Sequence, residues 1–303
     1  IRQGNAVIAI KDVSDAILWS WHVWVTDEDI NNVIEITNHQ NVKYNFMPVN
    51  LGQCDGNTIT YEERSCKVKF IAGDQSKEIT IKQLANVIAT GSNAPFYQWG
   101  RKDPLYPSNG MGNTTKIWYD KEGIPSTANP MKGTFSAGND CIKNCILNPN
   151  LMHNRYNGDY TYYNLWSADN KTTSANDNPV NKTIYDPCPV GFKLPASNAF
   201  TGFTTTGESV SSSTQVNGTW SSSEKGWYFY TNSEKTQSIF FPALGYRSYS
   251  TMRPGSIGTQ GCFWSAHPVA KGNNYYLRTS SVDVQPTYMV DRGFGYALRP
   301  CQD

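Results

Sequence analysis

Nowhere does this chain place apolar residues at the spacing of an amphipathic helix of useful length; they come in short runs instead. The densest is ILWSWHVWV, residues 17–25, with three tryptophans and a histidine between positions 19 and 24. Preceded by NAVIAI (5–10) and the polar KDVSDA, it reads as the second strand of a β-hairpin. Strand alternation puts Trp19, Trp21, Val23 and Val25 on one face, and Leu18, Ser20, His22 and Trp24 on the other. Large apolar residues on both faces predict a strand covered on both. Its tryptophans are then scaffold and His22 a hydrogen-bonded core histidine.

The same reading gives a second hairpin, CKVKFIAG (66–73) and KEITIKQ (77–83), turning at AGDQS. From about 105 to 182 the chain is irregular and rich in Gly, Pro and Asn, the composition of loops. KLPASNAFTGF (193–203) predicts a short helix with Ser197 as N-cap. Short strands follow: TWSSS (219–223), GWYFYTN (226–232), QSIFFPAL (237–244), CFWSA (262–266), NNYYLRTSS (273–281) and GYALRPC (295–301). The pattern is that of an α+β, mostly β protein with long loops.

Charged residues are only 17% and the net charge is +1, so no basic face points to nucleic acid or an anionic membrane. No segment approaches the roughly 20 apolar residues of a membrane span. The first residue is Ile1 and no export signal precedes it, so the chain reads as a mature or trimmed fragment. Seven cysteines fit an oxidising compartment. The odd number leaves at least one thiol unpaired or bridged to another chain. Cys141 and Cys145 flank IKN, where a local bridge requires suitable backbone geometry. Zinc spacing is absent.

Chemistry-bearing residues are dispersed. Four histidines (His22, His39, His153, His267) occur without a GxSxG elbow, and His267 in SAHP shares a strand face with Ser265 by accident of spacing. Catalysis is therefore not expected. DNKTTSANDNP (169–179) offers calcium the oxygens of Asp169, Asn170, Asn176, Asp177 and Asn178, though a solvated Asn-rich loop explains it more simply. Calcium is the one cofactor considered. Sugar binding needs aromatic faces beside amides or carboxylates. Tyr156, Tyr160, Tyr162, Tyr163 and Trp166 in NRYNGDYTYYNLW, and Tyr246, Tyr249 and Arg253 further on, meet that description. Trp99, Trp220 and Trp264 read as core, Arg101, Lys102 and Asp103 as a buried or half-buried ion-pair cluster, and Arg247 and Arg299 as ties between loops.

Four phrases, FMPVNLG (46–52), FYQWGRKDP (96–104), YDPCPVGFKLP (185–195) and GYRSY…GCFWSA…NNYYLRTSS…RGFGYALRPC (245–301), stand in an order that resembles a known pattern. Together they resemble the Fibrobacter succinogenes major paralogous domain family, found in Bacteroidales fimbrillin-like and pilus-tip surface proteins. The resemblance covers about 40–303 and implies a C-type lectin-like fold over 41–303, preceded by a β-hairpin segment over 1–40. One departure is an insert at about 53–93. The resemblance implies a Cys188–Cys301 bridge clamping the module's ends, worth on the order of 4–5 kcal/mol if unstrained; within the insert, outside the family's pattern, Cys54 and Cys66 are candidates for a bridge closing it. Cys262 is left as a buried thiol. It further implies a non-enzymatic, exported protein of the bacterial cell surface, outer membrane or fimbrium, an adhesin binding a glycan or surface protein through its loops. A structural pilus subunit contacting only its neighbours is the second reading. A cysteine-dependent enzyme related to sulfatase-modifying factors is the third, and requires an exposed thiol pair in a cleft.

Overall fold

The computed structural model describes residues 3–54, 58–89, 94–105, 118–119, 124–126, 133–136, 138, 140–154, 162–169, 171, 174–270 and 272–303. The chain opens with the expected hairpin, β1 (Gly4–Lys11) and β2 (Ile17–Val25), registered so that Ile8 faces Trp21 and Ala6 faces Val23. β3 (Ile34–Thr37) and β4 (Lys43–Phe46) follow, and β4 pairs on its other side with Cys301–Gln302, which in turn pairs with Phe192–Lys193. Because β3 belongs to that sheet, the hairpin segment ends before Ile34 and not at residue 40.

The insert is a paired ribbon. β5 (Thr58–Tyr61) pairs with β8 (Asn86–Ala89), and between them β6 (Arg64–Ala72) pairs with β7 (Gln75–Gln83) around a two-residue Gly73–Asp74 turn, tighter than AGDQS predicts. Gly73 takes φ +59°, as a short hairpin turn demands. Further on, β9 (Tyr97–Gln98) pairs with Gly295–Tyr296. Two antiparallel meanders complete the frame, Gly218–Ser221/Gly226–Tyr230/Ser238–Pro242 and Gly261–Pro268/Asn273–Thr279/Val284–Asp291. The last of these strands, VQPTYMVD, has Pro286 within it and gave no clear strand signal.

Helix is scarce. α1 (Cys141–Leu147, CIKNCIL) lies inside the stretch expected to be loop. Residues Ser197–Phe203 form a 3-10 helix with Ala196, not Ser197, at the capping position. No helix among the described residues is long and apolar enough to cross a membrane.

The core has two parts. One is built of phenylalanines from distant strands and the 3-10 helix, Phe46, Phe200, Phe203, Phe229, Phe241 and Phe263, with Phe203 and Phe229 stacked at 3.9 Å between ring centroids. The other collects Tyr97, Trp99, Trp166, Trp264 and Tyr296. In the YQWG phrase Gly100 has φ +86°, and an added Cβ there would lie 2.3 Å from the Leu165 side chain. Hence the chain passes under Leu165 only as glycine.

Arg299 joins these parts. Fully buried, it donates from Nε to Asn50 Oδ1 (2.7 Å), from Nη1 to the Met47 and Pro48 carbonyls (3.2 and 3.0 Å), and from Nη2 to the Phe240 carbonyl (2.7 Å). Its guanidinium lies 4.4 Å from the Phe241 ring centroid. The FMPVNLG and RPC phrases therefore meet in space, as the reading of Arg299 as a tie between loops expects. Cys188 and Cys301, both buried, are not bridged, nor are Cys54 and Cys66; all seven cysteines are thiols. Cys66 projects from β6 in the ribbon while Cys54 sits beside Asn5 and Gly52.

Arg299→Met should lower unfolding free energy by about 3 kcal/mol or more, because four acceptors lose their donors in a dry site. Arg299→Lys should recover less than half of that, since the three donors of an ammonium radiate from one atom and cannot span the four acceptors that the wide guanidinium fork reaches. Urea unfolding of the two variants checks both expectations.

Candidate functional site: a polar groove beside the C-terminal strand

The segment Asn176-Asp177-Asn178-Pro179 makes an Asx turn, with the Asn178 amide donating to Asn176 Oδ1 at 2.8 Å. It is pinned from beneath. Ser197 Oγ accepts from the Asn176 amide (2.9 Å), and the Asn198 amide donates to the Asn176 carbonyl (3.2 Å). His267 Nδ1 accepts from the Ser197 amide (3.2 Å), so its ring is neutral in the fold. Burial lowers the His267 pKa to about 4, against partial opposition from the Asn178 backbone and the Asp177 charge.

Asp177 then faces β4 and the start of the 3-10 helix. Its Oδ1 accepts from Asn38 Nδ2 (2.6 Å) and the Tyr44 hydroxyl (2.7 Å), and its Oδ2 accepts from Asn198 Nδ2 (2.8 Å). Burial first, and the bond to Asp177 second, raise the Tyr44 hydroxyl pKa well above its ordinary value, so it stays a donor.

Beside this carboxylate runs a groove of about 290 Å³, bounded by residues 42–45, 177–180, 193–196 and 301–303. Tyr44 supplies its aromatic wall, Asn45, Asn178 and Gln302 its amides, and Asp177 and Asp303 its carboxylates. Lys43 and Lys193 bring two cations, engaged with Glu35 (2.8 Å) and Asp303 (3.0 Å) respectively. Across the floor Asn45 Nδ2 donates to Gln302 Oε1 at 3.3 Å. Two lysines against two aspartates leave no net charge, and the lining holds both hydrogen-bond donors and acceptors. Such a surface suits a neutral ligand rich in hydroxyl groups.

Ser197, His267 and Asp177 are the residue types of a charge relay, but Ser197 is 0% and His267 2% exposed. No substrate reaches that hydroxyl, and the trio holds a loop. Ser265, which shares a strand with His267, donates to the Tyr275 carbonyl at 3.0 Å.

Of the residues singled out for sugar contact, Tyr156 and Tyr160 lie outside the described residues, as does Asn170 of the calcium set. Trp166 is no ligand platform: it is 0% exposed, packs at 5.2 Å on Trp99, and donates to the Arg101 carbonyl (3.2 Å). Tyr162 and Tyr163 flank Arg292, whose Nη1 donates to the Tyr162 carbonyl (2.7 Å) and whose guanidinium lies 5.2 Å from the Tyr163 ring. Tyr246 and Tyr249 are half-buried against Phe294, at 5.5 and 4.9 Å. Only Arg253 stands exposed. Asp169 pairs with Asn181, and Asn176 is spent on its own turn, so the calcium candidates diverge from Asp177. Among the described residues no three His, Cys, Asp or Glu side chains converge as a metal site.

The hairpin has its own polar anchor. Lys102, with burial lowering its pKa and Asp103 opposing that fall, donates to Asp103 Oδ2 (2.5 Å) and to the Ser20 carbonyl (2.7 Å) and hydroxyl (2.6 Å). Asp103 Oδ2 also accepts from Ser20 Oγ at 2.6 Å. His22 accepts from the Tyr97 hydroxyl at Nδ1 (2.7 Å) and donates from Nε2 to Asn5 Oδ1 (2.8 Å); burial lowers its pKa to about 4. Next to Lys102, Cys141, Cys145 and His153 line a void of about 20 Å³, room for one water and no substrate. Cys145 has its pKa lowered, chiefly by the hydrogen bond from Cys141 and then by Arg101.

The sequence reading missed Lys43, Tyr44, Asn45, Lys193, Gln302 and Asp303. Each lies in an ordinary strand or at its end, and only strand order brings them together. Compared with family models, with curated proteins and with solved structures, the chain matches none.

The histidines set an acid limit. His22, His267 and His153 have folded pKa values lowered by burial to about 4, 4 and 3, below the unfolded value of 6.5. Between pH 6.5 and 4 the unfolded chain therefore binds protons that the folded chain does not. Stability is complete above pH 6.5 and falls as pH drops through that window, by up to about 1.4 kcal/mol per pH unit for each histidine. Thermal unfolding followed from pH 7 to 5 measures the slope, and His267→Gln should remove about a third of it.

Proposed function

We propose that this chain is an exported cell-surface module that binds a neutral carbohydrate in the groove beside its C-terminal strand. The observation that carries the reading is the lining: one aromatic wall, three amides, two carboxylates and two lysines around about 290 Å³. Sugar hydroxyls ask for that mixture of donors and acceptors, and a sugar's apolar ring face asks for a tyrosine. Export and a surface location rest on the resemblance of YDPCPVGFKLP and RGFGYALRPC to their counterparts in surface proteins. This reading puts the contact in the groove; of the loop residues expected to bind, Tyr156 and Tyr160 lie outside the described residues.

Screening the protein against an array of neutral and acidic glycans should give binders among the neutral ones. Asn45→Ala and Gln302→Ala should each weaken the best of them about five- to tenfold while leaving the unfolding free energy within about 0.5 kcal/mol. An array without binders, or variants that bind as well as the parent, would defeat the reading.

A further inference from the structure

The ILWSWHVWV hairpin is docked by one face and leaves most of the other open. Ser20, His22 and Trp24 point at the body of the protein, where Trp24 Nε1 donates to the Gln53 carbonyl at 2.9 Å. On the other face Ile8, Ile10, Trp21 and Val23 are 55%, 53%, 47% and 39% exposed. The expectation of cover on both sides therefore fails for most of the outer face: Trp19 at its edge is half-buried under Lys102 (4.5 Å) and Tyr185 (6.4 Å), while Ile8, Ile10, Trp21 and Val23 stay open.

The ribbon β6–β7 repeats the situation. Its register places Cys66 opposite Ile81, Val68 opposite Ile79 and Phe70 opposite Lys77, so one face is mainly apolar with Arg64 and Lys77 at its ends, while Lys67, Lys69, Glu78 and Lys82 occupy the other with Ile71. On the apolar face Phe70, Ile79 and Ile81 are 57%, 43% and 51% exposed. A two-stranded sheet with a bare apolar face is only marginally stable in water. Two such faces on one chain are more than scattered surface hydrophobics.

Their charges are opposite. The hairpin and the run after it, residues 4–29, hold one lysine against four aspartates and a glutamate, a net −4. Asp12 and Asp15 stand at its turn and Asp27, Glu28 and Asp29 at its other end. The ribbon, residues 64–83, holds one arginine and four lysines against one aspartate and one glutamate, a net +3. Both faces are exposed within a single copy, and neither is complementary to itself in charge.

We infer that the occupant of each face is a second copy of this chain: the apolar face of the β6–β7 ribbon lies on the outer face of the β1–β2 hairpin of the next molecule. Packed sheets of this kind sit about 10 Å apart with side chains interdigitated. The contact is head to tail, since one copy gives its ribbon and the other its hairpin, so each pair retains one open ribbon and one open hairpin and can grow. This surface is separate from the groove, and the inference stands whether or not the groove binds sugar.

The test is sedimentation velocity of the chain over a range of concentrations. The parent should shift from monomer to larger species as concentration rises. Phe70→Asp, on the ribbon, and Ile8→Asp, on the hairpin, should each raise the concentration for association at least about tenfold. Mixed together, the two variants should form a one-to-one complex that grows no further, because only the Ile8→Asp ribbon and the Phe70→Asp hairpin remain intact. Formation of that complex also shows that each variant is folded. A parent that stays monomeric throughout, variants that associate like the parent, or a mixture that stays monomeric would each overturn the inference.

Discussion

The fold depends on a buried cation that meets no anion among the described residues. Arg299 lies on the last phrase of the chain, yet its hydrogen bonds go to Asn50, Met47, Pro48 and Phe240, two of the three regions it joins being some 250 positions apart. Burial in this dry site lowers its pKa to about 9. A guanidinium survives there because its planar fork can satisfy several carbonyls at once, a task beyond a lysine. Around it the Met47 amide donates to the Pro300 carbonyl (2.9 Å) and the Leu51 amide to the Leu298 carbonyl (3.0 Å). FMPVNLG and ALRPC are thus one structural unit written in two places.

This unit does the work that the Cys188–Cys301 bridge was expected to do. Burial raises the Cys188 thiol well above its ordinary pKa and the Cys301 thiol to about 12. Both are protonated at neutral pH, and a protonated thiol is a poor partner for exchange. The C-terminal strand is held by its ladder to β4 and by Arg299.

Elements set by local pattern were legible. The β1–β2 and β6–β7 hairpins follow from alternation around polar turns, and the buried Arg101-Lys102-Asp103 cluster follows from charges set beside Trp99 in a strand-end phrase. α1 was hidden because CIKNCIL is too short to show a helical period and its cysteines carry no strong propensity. Trp166 was misread because an aromatic in an Asn-rich stretch looks exposed, while in space it fills the gap beside Trp99. The groove could not be seen at all: its walls come from β4, the Asx turn at 176–179, Lys193 and the final strand, neighbours only because the sheet runs Phe192–Lys193, Cys301–Gln302, β4, β3.

The hairpin shows how a pattern can be read correctly and its surroundings wrongly. Alternation sorted Ser20, His22 and Trp24 from Trp21 and Val23, and that sorting holds. Cover on both faces was inferred from hydrophobicity, a rule that suits sheets with helices on both sides. Here the inner face carries the polar residues, Ser20 and His22, and it is docked because Lys102, Asp103, Tyr97 and Asn5 satisfy them in a dry site. The outer face carries the apolar residues and meets water. Hydrogen-bond satisfaction fixed which side of the strand turns inward, and the hydrophobic effect was left unspent on the other. A surface left in that state is where association with another molecule gains most.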